Sequence, residues 1–243
     1  MIYLFYYLCI QSTGYVVELA LKDVVSMEFF LNYPLDNALS RIVAEKILEQ
    51  ILNGDLKPGD KIVEGVYAEM FNTSRSPIRE AIYMLTTEGL IERIPRKGAF
   101  VKGYTLSEIQ DLLDVRNNIE ILSAKRIHEP HKKKDLLADL KSMLKEMDKC
   151  TNQFEYVQLN YAFHYTIIKF SDSAVLEGVY SKISFPLLRI QGIHFSQKET
   201  IERSKEDHRK IYDYLKNNKI DEFIELLRTH TENVILNVSQ KVF

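Results

Sequence analysis

The chain reads as a mainly α protein, an N-terminal winged helix-turn-helix followed by an all-α helical bundle. Three observations point there. Helical stretches separated by a tight turn lead into a helix that opens on arginines, and two short strand-like runs around a basic turn follow at once. After Val101 no strand-like alternation of any length returns. Six helical stretches fill what remains, enough for a bundle.

At 243 residues the chain has room for two domains of ordinary size. The expected division is an N-terminal extension over 1–35, the winged unit over 36–102 and the helical domain over 105–238. Apolar residues make up 46%, enough for a packed core. The formal net charge of -2 means that any affinity for nucleic acid must come from a local patch. The two cysteines, Cys9 and Cys150, form no CxxC pair, so neither a disulfide framework nor a thiolate knuckle is expected, and a reducing cytoplasm fits. The apolar opening run ends at Gln11-Ser12-Thr13, short of the roughly 20 residues a bilayer span needs, and no basic cluster precedes it. It is expected to pack against the protein, or translation begins at Met27; no membrane partner is expected.

In the first domain Asp36 and Asn37 are cap-type residues ahead of Leu39, Ile42, Val43, Ile47, Leu48, Ile51 and Leu52 at helical spacing. Gly54 and Lys57-Pro58-Gly59-Asp60 make the turn. A second helix is expected over Val63 to Phe71, packing through Val66, Tyr67 and Met70. A third begins near Ser74-Arg75-Ser76-Pro77, where a serine cap and an early proline signal a start. Ile78, Ala81, Ile82 and Leu85 form its inward stripe, and Arg75, Arg79 and Tyr83 share another face. Leu90 to Ile94 and Ala99 to Val101 read as strands around Pro95-Arg96-Lys97-Gly98, a plausible wing. Residues 73–102 hold six basic residues against three acidic ones, a local positive patch that suits DNA and would equally suit a solvated hairpin.

In the second domain helices are expected near 105–127, 132–149, 152–170, 172–190, 199–217 and 220–238. Of its six histidines, His128 and His131 read as surface residues and His194 as loop or pocket rim. His164, His208 and His230 each fall on the apolar face of a different helix. Three buried imidazoles cost hydrogen bonds unless something receives them. Spacing leaves two readings open, a divalent metal or a polar core network.

The motifs Lys57-Pro58-Gly59, Ser74-Arg75-Ser76-Pro77-Ile78-Arg79-Glu80-Ala81, Glu88-Gly89-Leu90-Ile91 and Arg96-Lys97-Gly98-Ala99-Phe100 resemble the DNA-binding domain of the GntR family. The resemblance implies that Arg75, Ser76 and Arg79 meet the major groove, with the arginines on phosphates and guanine edges, and that Arg96, Lys97 and Gly98 form the wing's contact, Lys97 and Gly98 approaching the minor groove. An arginine that some fatty-acid-responsive members carry on helix two is Gly65 here, so that branch's operator is not implied.

Residues 105–238 resemble the FCD ligand-binding domain through Asn160, Phe163-His164, Asp207-His208 and His230, with Leu112-Leu113-Asp114-Val115-Arg116 and Glu120 on the early helix. That likeness implies Asn160, His164, His208 and His230 as ligands of a divalent metal, Zn first, with Ni or Mn as alternatives. Asn160 stands where an aspartate is usual, and a neutral amide oxygen is a weaker ligand. Arg116 and Arg189 are candidates for the carboxylate of a small organic-acid effector. The expected protein is a cytoplasmic homodimeric repressor on double-stranded DNA with a palindromic operator, and not an enzyme. A helical protein-interaction module and a metal-dependent hydrolase are the alternatives. No HExxH motif, Gly-rich phosphate loop or recognisable nucleophile supports the hydrolase.

Overall fold

The computed structural model describes residues 38–127 and 130–242. The expectations for the extension over 1–35, for Cys9 and Met27, for the Asp36-Asn37 cap and for His128 lie outside them. The winged unit comprises α1 (Ala38–Asn53), β1 (Lys61–Ile62), α2 (Glu64–Met70), α3 (Arg75–Thr87), β2 (Ile91–Ile94) and β3 (Gly98–Val101). The helical domain follows as α4 (Leu106–Ala124), α5 (Pro130–Lys149), α6 (Gln153–Lys169), α7 (Ala174–Lys182), α8 (Ser184–His194), α9 (Lys198–Lys216) and α10 (Ile220–Val242). Among the described residues the protein is thus mainly α, with one small antiparallel sheet of order β1-β3-β2. No helix among them is long and apolar enough to cross a membrane.

In the winged unit α1 lies across α3, burying Val43, Ile47 and Leu48 against Ile78, Ala81, Ile82 and Leu85. Ser40 Oγ donates to Glu80 Oε2 at 2.6 Å and fixes the crossing. The expected stripe on α3 is the buried one. On α2 only Tyr67 turns inward, donating to Gln50 Oε1 at 2.6 Å. Val66 and Met70 are about half exposed, as is Ile42 on α1, contrary to their expected packing roles. A seven-residue helix has room for one inward position beside α1, and Tyr67 fills it. Lys61-Ile62, too short to read as a strand, pairs with Phe100 and Ala99 as a third strand behind the hairpin.

The helical domain begins with a capping box. Thr105 accepts from the Glu108 N–H, and Glu108 reaches back to the Thr105 N–H. Asn152 caps α6 and Ser173 caps α7. The stretch expected as one helix over 172–190 is two, parted at Ile183. Pro186 explains the break: it fits the first turn of α8 but not the interior of a continuous helix. Helix α6 runs through the middle of the bundle, with every residue from Tyr156 to Ile168 buried except the half-buried Gln158. It packs chiefly against α4, α5 and α8, and also meets α7 and α1.

The two units meet along α8. A methyl group on Gly192 would lie 2.7 Å from the Leu52 carbonyl oxygen of α1, so only glycine permits this approach. Gln153 Nε2 bridges the Gly192 carbonyl at 2.9 Å and the Leu52 carbonyl at 3.3 Å. Arg189 donates to the Lys102 carbonyl.

Candidate functional site

Two regions collect the residues singled out above. In the winged unit, Arg75, Ser76 and Arg79 lie exposed on the first turns of α3, and Arg96, Lys97 and Gly98 lie exposed at the hairpin tip. Ser74 occupies the N-cap with extended backbone, but its side chain makes no capping bond. Arg79 Nε is held by Glu64 Oε2 at 2.8 Å across α2 and α3. At the hairpin tip Arg96 (φ 65) and Gly98 (φ 114) take left-handed backbone, and the Lys97 N–H closes the turn on the Ile94 carbonyl at 3.0 Å.

The second region is the middle of the bundle. His164 comes from α6, His208 from α9 and His230 from α10, all buried, with ring centroids 5.1 to 6.3 Å apart. Each imidazole turns Nδ1 towards an acceptor. His164 Nδ1 lies 2.7 Å from Glu120 Oε2, His208 Nδ1 2.6 Å from the Ser204 carbonyl, and His230 Nδ1 3.2 Å from Asp207 Oδ2. A carbonyl or carboxylate in that position requires the proton on Nδ1, which leaves Nε2 as a bare lone pair. His164 Nε2 and His208 Nε2 then face each other at 3.1 Å. Two lone pairs so placed need a proton or a cation between them. Two nitrogens on one ion at bonds of about 2.0–2.1 Å would stand roughly 3.0–3.4 Å apart.

Asn160 sits one turn before His164, fully buried, and neither its Oδ1 nor its Nδ2 has a hydrogen-bond partner. An orphaned buried amide beside a bare imidazole pair is a donor set that a bound cation would satisfy. The donor set of three neutral imidazole nitrogens and one amide oxygen suits a borderline divalent ion such as Zn or Ni. Among the described residues, however, no three His, Cys, Asp or Glu side chains already stand together as a ligand cluster. His164 and His208 are in register, and His230 is set further out.

Burial and the neighbouring charges together set the protonation of the groups around the rings. Burial pushes the Glu120 carboxyl up, but His164 and the Arg116 guanidinium outweigh it and hold the group at about 2. Glu120 is therefore ionised, paired to Arg116 Nε at 2.8 Å. Burial, with Arg116 nearby, lowers His164 to about 4, and burial with the two neighbouring imidazoles lowers His208 well below the usual histidine value. Both are neutral at pH 7, the form that binds metal. Phe163 stands edge-on to His208, with ring centroids 4.5 Å apart.

The two candidate effector arginines do not come together. Arg116 is buried in this network with Nη2 unpartnered, and the buried Tyr180 hydroxyl, also unpartnered, feels its charge. Arg189 lies at the junction between the units, on the Lys102 carbonyl and 5.8 Å from the Tyr104 ring centroid. His194, expected in a loop or at a pocket rim, is the last residue of α8, 6% exposed, and lines a cleft shared with Asp207 and His230. His131 is exposed, as expected. Sequence reasoning missed the anchoring role of Glu120 and Ser204 and the exposure of Tyr180 to the Arg116 charge. The i,i+4 spacing of Arg116 and Glu120 was a visible signal for the ion pair, though not for its burial.

Comparison with known proteins agrees with this layout. Residues 39–101 match the model for bacterial regulatory proteins of the gntR family, and residues 111–233 match the FCD domain model. The HTH-type transcriptional regulator YdhC of Bacillus subtilis is 31% identical over 180 residues, 70% of this chain and 78% of that protein. The gluconate operon transcriptional repressor of Bacillus subtilis is 30% identical over 175 residues, 70% of each chain. A solved GntR regulator from Rhodococcus superposes with a TM-score of 0.66 at 17% identity, covering 84% of this chain and 99% of that one. The last likeness speaks for the fold alone.

Proposed function

Because the chain belongs to the gntR family of bacterial regulatory proteins and is a DNA-binding transcriptional regulator with an FCD effector-binding domain, we propose that a small organic acid controls its hold on DNA through a metal-centred helical domain. The units are 36–102 for DNA and 105–238 for the effector and for dimerisation. Arg75, Ser76 and Arg79 enter the major groove while Lys97 and Gly98, with Arg96 beside them, approach the minor groove at the wing. An arginine fork on guanine O6 and N7 discriminates bases by about 1–3 kcal/mol. Two copies reach two half-sites of an imperfect palindrome in the cytoplasm, and effector binding releases them.

Asn160, His164, His208 and His230 hold the metal, Zn before Ni or Mn. The observation that carries this is the 3.1 Å approach of two imidazole nitrogens whose partner nitrogens are both committed to acceptors. The metal supplies a fixed positive charge that draws an anionic effector. Glu120, Ser204 and Asp207 hold the imidazoles in the ligating tautomer. Arg116, with Nη2 unpartnered, faces the same interior and suits a carboxylate. An organic acid is also consistent with a relative named for a gluconate operon. Arg189, committed to Lys102, serves the junction between the units instead.

Native mass spectrometry with elemental analysis of the same sample tests the reading. A dimer with one divalent ion per chain is expected. A metal-free dimer purified without chelators would return the three histidines to a polar core.

A further inference from the structure

Arg75 and Arg79 stand one turn apart on the exposed face of α3, yet they are held differently. Arg79 Nε donates to Glu64 Oε2 at 2.8 Å, and Glu64 is the first residue of α2, which packs beside α3. Arg75 makes no ion pair among the described residues. Helix α2 carries no cation of its own, so the positive charge of this face comes from α3.

Stability does not explain the Glu64–Arg79 pair. The Arg79 side chain is 59% exposed and that of Glu64 27%, and an exposed ion pair adds little to a fold. On a surface that approaches phosphates, a carboxylate also opposes binding through its charge. What the bond does is geometric. A guanidinium presents five N–H donors in one rigid plane. With Nε–H on Glu64, the side-on edge of that plane is taken, and the two Nη groups remain as an end-on fork. Such a fork spans two neighbouring acceptors, and guanine O6 and N7 are the pair the major groove offers it. The bond also restricts a long, flexible side chain before DNA arrives, so less freedom is lost on binding.

We propose that Glu64 is a positioning residue for base readout: it holds Arg79 as an end-on fork aimed at guanine, while Arg75, unheld, is free to adapt its contact. The proposal rests on reading α3 as the helix that enters the major groove, and it divides the work of the two arginines on that helix. Glu64 itself touches no base. It acts by closing the side-on edge of Arg79, and so keeps that side chain from turning to a phosphate or to another base.

The test starts from the duplex that full-length wild-type protein recovers from a random double-stranded pool. Gel-shift affinities are measured for that duplex, for its single base-pair variants and for an unrelated duplex. The proteins compared are wild type, Arg79→Ala, Glu64→Ala and Glu64→Gln, with the thermal midpoint recorded for each. Arg79→Ala marks the guanine that Arg79 reads, as the position where changing the base no longer matters. There Glu64→Ala should lose about threefold to tenfold of the discrimination against other bases, because one more side chain must be ordered on binding and can also settle elsewhere. Its affinity for the unrelated duplex should stay level or rise, since a negative charge has left the surface. Glu64→Gln keeps an oxygen for the Nε–H and should retain most of the discrimination. A merely structural role predicts an equal loss on every duplex with a lowered thermal midpoint, and that result would overturn the proposal. Wild-type discrimination at the marked guanine in Glu64→Ala would overturn it as well, leaving the recognition helix standing. If Arg79→Ala relaxes no position, the recognition-helix reading and the role of Glu64 fall together.

Discussion

Replacing Glu120 with Gln tests the network behind the histidines most directly. Glu120 is fully buried, accepts from Arg116 Nε at 2.8 Å and faces His164 Nδ1 at 2.7 Å. Burial opposes its charge, but His164 and Arg116 hold it ionised, at about 2. The amide removes that charge and leaves the Arg116 guanidinium, 1% exposed, without its counter-ion. Breaking one side of a buried ion pair costs about 3–5 kcal/mol. That is a large part of the roughly 5–15 kcal/mol that holds a typical domain together. The amide also has one acceptor where the carboxylate has two, so either Arg116 or His164 loses its partner. If His164 loses it, the proton is no longer fixed on Nδ1 and metal affinity should fall about 10–100-fold. Urea denaturation of metal-free protein reads the first effect, and competition with a chelator reads the second. The double variant Arg116→Met with Glu120→Gln removes the stranded charge and should recover most of the lost stability. Wild-type stability and metal affinity in Glu120→Gln, or no recovery in the double variant, would refute the argument.

Three further outcomes follow from the same structure. Gly192→Ala puts a methyl 2.7 Å from a backbone oxygen that cannot rotate away, and should cost about 1–3 kcal/mol in urea unfolding; a superimposable curve contradicts the close approach of α8 to α1. Arg75→Ala and Arg79→Ala should each weaken operator binding by about 1–3 kcal/mol in a gel-shift titration with the thermal midpoint unmoved, because both side chains are exposed; unchanged affinity sinks the recognition-helix assignment. In metal-free protein, His164 at about 4 and His194 at about 3 are depressed from an ordinary 6.5, so the unfolded chain takes up their protons first. Stability is then complete above about pH 6.5 and falls as pH drops from there towards 4, by roughly 1.4 kcal/mol per pH unit for each histidine. A denaturation midpoint that stays flat between pH 6.5 and 5 would show that these rings are not buried neutral.

The sequence made the helices legible because their signals are local. Ser74 and Pro77 mark the start of α3, and the Ile78, Ala81, Ile82 and Leu85 spacing names its buried stripe. The three inward histidines were equally readable, since periodicity alone puts each on the apolar face of its helix. What stayed hidden depends on partners distant in the chain. Ile62 joins a sheet only because Ala99 comes alongside it. Val66 and Met70 look inward by composition, yet no element covers their face among the described residues. Arg189 reads as a carboxylate partner in the sequence, where its bond to the Lys102 carbonyl, 87 positions away, is not legible. Two of the three anchors of the histidine rings follow the same rule: Glu120 reaches His164 across 44 positions, and Asp207 reaches His230 across 23, whereas Ser204 lies one turn before His208.

Helix α8 gives the proposed coupling between effector and DNA a physical carrier. Its eleven residues span roughly 16 Å, short enough to move as one body. At its C-terminal end His194 lines the cleft that reaches Asp207 and His230. Two residues earlier Gly192 rests on Leu52 of α1, with Gln153 tying both carbonyls, and one turn before that Arg189 holds Lys102 at the exit of the wing. A ligand that displaces this end of α8 therefore displaces the contacts that set where the winged unit stands. Coupling needs little energy: a tenfold change in operator affinity is about 1.4 kcal/mol. Losing the Arg189–Lys102 bond, in which the donor is charged, is worth roughly 1.5–3 kcal/mol. One hydrogen bond made or broken at this junction is therefore enough to give an effector a regulatory effect, provided the ligand distinguishes the two positions of α8 by the same amount.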